Sequence, residues 1–296
     1  MTSITRLATG AQSLQNMDSV GAMSKRMARL QEQISSGQAI QRTSEDPSAT
    51  RSVMTLRAEQ TRMSQYAQNI DHGLLRLNAT RTQVDSINDQ LLKARDLVIQ
   101  GQASNSTANT RTALAAQIDV IASSLLVAAN SDFNGRALFT GSTSADTAYN
   151  VGGTYIGDTN AVTTRVDDFG STVRIELNGP EIFGADSTNA FAVLTSVAAS
   201  LRNTPANLSA DLVSLDSVMT TARAAQSTVG SRINQLNELR DVTADRILSV
   251  TGALSAVEDT DLTKTVMELT MQQTSYEAAL YSTAQIMQPS LMDFLR

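Results

Sequence analysis

The sequence predicts a mainly α fold with a β-rich insert: a long antiparallel helical bundle formed by paired N- and C-terminal segments, with a small β-containing middle domain. Three observations predict it. Of the 296 residues 41% are hydrophobic, but only five Tyr and six Phe are aromatic and Trp is absent, so Ala, Leu, Val, Ile and 11 Met carry the apolar content. That composition suits narrow helical seams better than a thick globular core. Both flanks repeat apolar residues at alternating steps of three and four, whereas residues 133–191 hold seven of the aromatics and eight of the 15 glycines, the residue types of strands and turns.

The first helix is predicted over about 5–36. Val20, Met23, Met27, Leu30 and Ile34 keep a strict 3-4 spacing, and Gly37 stops the helix. The next opens at Ser44-Glu-Asp-Pro47, where Ser44 or Asp46 is the cap and Pro47 fits the first turn. Its seam runs from Val53 and Leu56 through Ile70, Leu74, Leu77, Val84 and Leu91 to Val98. Late in the run Asn88 and Arg95 interrupt the seam and Ile87 and Ala94 lie beside them, the drift of a 3.6-residue helix against a 3.5 repeat. About 55 residues at ~1.5 Å each make roughly 80 Å. A third helix, about 107–129, presents Leu114, Ile118, Ile121, Leu125 and Ala128.

In the insert, Phe133-Asn-Gly-Arg136 is a tight-turn signal. Tyr149–Gly157 reads as a short glycine-punctuated strand. Val173-Arg-Ile-Glu-Leu177 alternates with period two, a half-exposed strand ending in the turn Asn178-Gly-Pro180. A short helix near 188–202 ends before Pro205, and a long one follows over about 208–257. Its seam slips by one residue across Glu258-Asp-Thr-Asp261 and resumes at Leu262, Val266, Leu269, Tyr276, Leu280 and Met287. Glu258, Asp259 and Asp261 are therefore expected at a helix break, a hinge and a subdomain border. Each terminal stripe is unable to bury itself alone, and the other terminus offers the nearest matching one. Val20, Met23, Met27, Leu30 and Ile34 with Leu262, Val266, Leu269, Tyr276, Leu280 and Met287 are the candidate assembly seam. Three domains follow: 1–45 with 259–296, 46–130 with 205–258, and the β-rich outer domain 131–204.

Chemistry is sparse. No Cys is present for a thiol nucleophile, disulfide or thiolate metal site, and His72 is the single His. A net charge of −6 argues against general nucleic-acid binding. No stretch reads as ~18 apolar residues, so membrane insertion is not expected, and the first ten residues lack the apolar run of a cleavable signal. His72 sits off the seam and reads as an exposed helix residue. Asp167-Asp168 and Glu258–Asp261 lack the ligand spacing of a calcium loop and read as caps and loops. Gly152–Gly157 is no phosphate cradle, since no Lys-Ser/Thr or helix follows. Nothing resembles an acid–base pair or a nucleophile–base set, so no enzyme, cofactor or metal is expected.

Leu30-Gln-Glu-Gln-Ile-Ser-Ser-Gly37 with Ser44-Glu-Asp-Pro-Ser-Ala49 resembles the N-terminal signature of the flagellin superfamily. Thr265–Leu280 and Ser290-Leu-Met-Asp-Phe-Leu295 resemble its other end. Asn130-Ser-Asp-Phe-Asn-Gly135, Phe139-Thr-Gly-Ser142 and Asn178–Gly184 are similar to its loops. Asp46-Pro47, Gln272–Leu280 and the Leu291–Leu295 ending look most like the members that join hook to filament. That resemblance implies a homo-oligomeric structural subunit, located outside the cell at the hook–filament junction and exported by the flagellar apparatus. It implies as partners a neighbouring hook-associated protein, flagellin and an export chaperone. A filament flagellin is the alternative. An adhesin-type coiled-coil protein that binds through residues 133–191 is a more distant one.

Overall fold

The computed structural model describes residues 2–143, 145–167 and 170–287, and side chains from 14 through 285. The Ser290–Leu295 ending, Asp168, Phe169 and the Met287 side chain lie outside that description. Among the described residues seven α-helices dominate: α1 (Thr2–Ser36), α2 (Pro47–Gln102), α3 (Ala108–Ala129), α4 (Gly179–Phe183), α5 (Ala190–Asn203), α6 (Leu208–Glu258) and α7 (Leu262–Met287). Their ends follow local chemistry. Gly37 leaves α1 at φ +73°, and Thr107 and Asn189 cap α3 and α5 by accepting the backbone N–H three residues on. At α2 it is Asp46, not Ser44, that caps: its Oδ1 accepts the N–H groups of Ser48 and Ala49 at 3.0 and 2.9 Å.

The chain divides into two compact units. Unit one joins Met1–Thr61 with Leu248–Arg296, and unit two is Arg62–Ile247. This differs from the three expected domains in two ways. Residues 46–61 and 248–258 group with the termini: Arg57–Glu258 and Gln60–Thr251 contacts join these two stretches to each other, and Ala39 and Gln38 reach Glu258 from the N-terminal side. Residues 131–204 have no core apart from the helices.

Unit two has one continuous core, from Ile70 on α2 through Phe139, Tyr149, Phe183 and Phe191 to Leu236 on α6. The aromatics of the insert pack edge-on and tilted around Tyr149, with ring centres 5.2 Å from Phe183 and 5.0 Å from Phe191. Helix α2 uses the drifted seam: Ile87 and Ala94 are fully buried. Arg95, beside Ala94, instead donates to Asp216 of α6 at 2.7 Å. Gln226, ten residues further along α6, donates to Asp85, ten residues back along α2, at 2.6 Å, so the two run antiparallel. His72 is exposed.

The insert contains less strand than its composition suggested. β1 (Asp132–Phe133) and β2 (Arg136–Ala137) form a hairpin whose turn residues Asn134 and Gly135 both have positive φ, 54° and 75°. β3 (Thr163–Arg165) pairs antiparallel with β4 (Thr172–Arg174), and Tyr149 bridges Tyr155. The alternation at Val173–Leu177 stops pairing after Arg174, and Glu176, expected on the solvent face, is buried. Arg76 reaches it from α2. Asn178-Gly-Pro180 opens α4 rather than closing a turn, because Pro fits a first helical turn. There the Asn178 N–H donates to Glu181 at 3.0 Å.

One expectation about apolar runs is corrected. Helix α3, 22 residues long, is long and apolar enough to cross a membrane by length and composition. Its Ala content raises its hydropathy, while Leu114, Ile118 and Leu125 are spent on the core and Asp119 pairs with Arg202.

Candidate assembly surface

In unit one, α1 packs along α7. Both meet at a short clasp, where α1 ends and α7 begins, so they run antiparallel. The clasp is an antiparallel bridge between Gln38 and Asp259. The Ala39 N–H donates to the Glu258 carbonyl at 2.7 Å, and the Thr260 N–H donates to the Gly37 carbonyl at 2.9 Å. Gln38 Nε2 donates to Glu258 Oε1 at 2.7 Å, and Arg57 forms an ion pair with the same carboxylate. Asp261 starts α7 by accepting the Lys264 N–H at 3.1 Å. Glu258, Asp259 and Asp261 therefore stand at the expected helix break, and residues 37–39 tie its first three residues, Glu258, Asp259 and Thr260, down. Gln38 and Arg57 were not singled out from sequence, because no local signal ties them to residues 220 and 201 positions away.

The candidate seam is unevenly used. On α1, Leu30 is buried and Val20, Met23, Met27 and Ile34 are half-buried. On α7 the covered row is Thr265, Leu269, Gln272, Tyr276, Ala279 and Thr283. Of the apolar residues assigned to the seam there, Leu269 and Tyr276 join that row. Leu262, Val266 and Leu280 remain 51%, 48% and 44% exposed. At about 100° per residue they lie roughly 70° around the helix from the covered row. That row keeps the 3-4 spacing by interleaving Thr, Gln and Ala with Leu269 and Tyr276, and it was the overlooked signal. Met267, Met271 and Tyr281 extend the exposed apolar surface of α7, and Leu14 and Met17 do so on α1.

Unit one is consequently thin. Among the described residues only Leu30 and Val250 are buried hydrophobic side chains in it. Among the described residues no group of three or more His, Asp or Glu side chains is placed to share a metal ion.

Residues 7–144 match the bacterial flagellin N-terminal helical region, and residues 212–295 match the bacterial flagellin C-terminal helical region. The chain belongs to the flagellin family. Flagellar hook-associated protein 3 of Escherichia coli K12 is 25% identical to this flagellin-family chain over 304 aligned positions, covering 93% of this chain and 94% of that protein. The same-named protein of Salmonella typhimurium LT2 is also 25% identical, with the same coverage. The crystal structure of flagellar hook associated protein-3 from Legionella pneumophila shares the fold. Its TM-score is 0.62 at 14% identity, covering 69% of this chain and 98% of that one.

Proposed function

We propose that this chain is a structural subunit of the bacterial flagellum that joins hook to filament by assembling through its terminal helices. The observation that carries the reading is the thinness of unit one. It pairs α1 with α7 yet leaves Leu262, Val266 and Leu280 about half exposed on one face of α7. Apolar stripes of this kind mark protein contact surfaces, and neighbouring subunits of a tube supply the missing cover. The similarity along nearly the whole chain to proteins named flagellar hook-associated protein 3 supports the junction over the filament.

In this reading the subunits form a closed homo-oligomeric ring. They stack on a neighbouring hook-associated protein on one side and receive flagellin on the other, and an export chaperone covers the stripe beforehand. The role is structural, with contact surfaces in place of a catalytic centre. Electron microscopy of flagella carrying a labelled copy of the chain tests it. Label confined to one band beside the hook is expected. Label along the whole filament would make the chain a filament flagellin, and filaments that stay attached without residues 262–296 would overturn assembly through the terminal helices.

A further inference from the structure

The chain has 11 Met and neither Cys nor Trp, so the thioether is its one sulfur group and its most readily oxidised side chain. The fold distributes these residues unevenly. Met17, Met54, Met267 and Met271 are 59%, 68%, 61% and 71% exposed, and all four belong to unit one. In unit two, among the described residues, Met63 is half-buried and Met219 is 2% exposed. Met267 and Met271 stand four residues apart on α7, so they are neighbours on one side of that helix. That side continues to Tyr281, which is 81% exposed.

We propose that Met267 and Met271 form an oxidation site, and that converting them to sulfoxides by a peroxide switches off the contact surface of α7. A lone pair of Sδ attacks one peroxide oxygen. The S–O bond forms as the O–O bond breaks, sulfur gives up two electrons, and the second peroxide oxygen takes a proton and leaves as water when the oxidant is hydrogen peroxide. The product is a polar side chain where an apolar one stood. In the free chain its oxygen stays hydrated at these exposures, so the monomer keeps its fold. In a contact it has to shed that water against an apolar neighbour, which is unfavourable. A methionine sulfoxide reductase reverses the step, two thiols closing to a disulfide while the oxygen leaves as water. The block of assembly rests on the function proposed above, whereas the order of oxidation does not.

The test treats the full folded chain with hydrogen peroxide at neutral pH and follows each methionine by peptide mass mapping. Met267 and Met271 should gain oxygen at least about tenfold faster than Met219, with thermal unfolding of the oxidised monomer close to that of the untreated one. Purified chain is then added to cells whose hooks lack it, and incorporation is counted by labelled electron microscopy. Oxidation should cut incorporation at least about tenfold, and the reductase with a thiol should restore it. The double variant Met267→Leu, Met271→Leu should keep most of its own untreated incorporation after peroxide. Met267→Gln with Met271→Gln, polar without oxidation, should incorporate poorly from the start. Oxidation at Met267 and Met271 no faster than at Met219, equal incorporation before and after peroxide, or a Leu variant as sensitive as the parent would overturn the proposal. Untreated chain that stays off the hooks would overturn the junction reading and the block with it, while the mass map decides the oxidation order by itself.

Discussion

Arg76 of α2 and Glu176 of the insert form an ion pair in the core of unit two, with side chains 9% and 1% exposed. Arg76 also donates to the Ala137 carbonyl at 3.1 Å, and Arg232 of α6 donates to the Glu176 carbonyl at 2.8 Å. The pair thus draws α2, the β2 hairpin strand, the segment after β4 and α6 together. Burial pushes the Glu176 carboxyl up and the Arg76 guanidinium down, and the attraction between them opposes both shifts.

Removing one partner leaves the other charged and buried, which typically costs about 3–5 kcal/mol. Glu176→Ala is therefore expected to lower the unfolding free energy of unit two by that amount, read from urea denaturation of the full chain. A loss below ~1 kcal/mol would show that the pair does not hold the insert in place.

Asp46 provides a pH-dependent cap. The Ala49 N–H and the Ser48 hydroxyl hold its carboxyl below the usual value of 3.8. A carboxyl depressed in the folded state stabilises the fold above its unfolded pKa, and that contribution disappears as pH falls through the folded value. The amide resonances of Ser48 and Ala49 should titrate together with a midpoint below 3.8. Asp46→Asn should keep the cap and abolish the titration.

The clasp is held chiefly by backbone. Arg57 is more than half exposed, so Arg57→Ala should cost under ~1 kcal/mol. Ala39→Pro deletes the N–H that reaches the Glu258 carbonyl, and Gly37→Val forces a β-branched residue to positive φ, a penalty of roughly 1–2 kcal/mol. Both should speed hydrogen exchange at Thr260 more than Arg57→Ala does. Equal effects of all three would place the clasp's strength in the ion pair.

Unit one should open more easily than unit two. Two buried hydrophobic side chains among its described residues offset little of the ~1–2 kcal/mol per residue that ordering its backbone costs. Native-state hydrogen exchange on the monomer should show α1 and α7 exchanging at far lower opening free energy than the 70–98 stretch of α2. Matching protection in both would contradict the thin core.

Substitutions on α7 should separate monomer folding from assembly. Val266→Asp and Leu280→Asp, at half-exposed positions, should leave the thermal unfolding of the monomer within a few degrees of the parent and abolish incorporation into flagella. Leu30→Asp buries a charge and should instead melt unit one in the free monomer. Wild-type incorporation by both α7 variants would remove the exposed stripe from the contact surface.

Gly153 tests the packing of the insert. It has φ +76°, and a Cβ there would lie 2.5 Å from Phe191 Cβ. Gly153→Ala should destabilise unit two by about 1–3 kcal/mol through strain and overpacking together. A neutral result in thermal denaturation would mean that the aromatic cluster around Tyr149 yields readily.

The helices were legible because their causes are local. The 3-4 spacing of Val20 to Ile34, Gly37 and the slip at Glu258–Asp261 each act within one or two turns, so reading along the chain recovers them. The drift from Asn88 and Arg95 to Ile87 and Ala94 was legible for the same reason, as helix geometry imposes it. What no local window contains is a choice among near-equivalent alternatives. Ser44 and Asp46 were both competent caps, Val173–Leu177 alternates whichever face turns inward, and α7 has two flanks wide enough to pack. Those choices went to Asp46, to an inward Glu176 met by Arg76, and to the Thr265–Thr283 flank. In each case the deciding atoms belong to a particular partner: backbone N–H groups aimed at Asp46 Oδ1, a guanidinium brought up from a helix a hundred residues away, and the face of α1 that packs along α7.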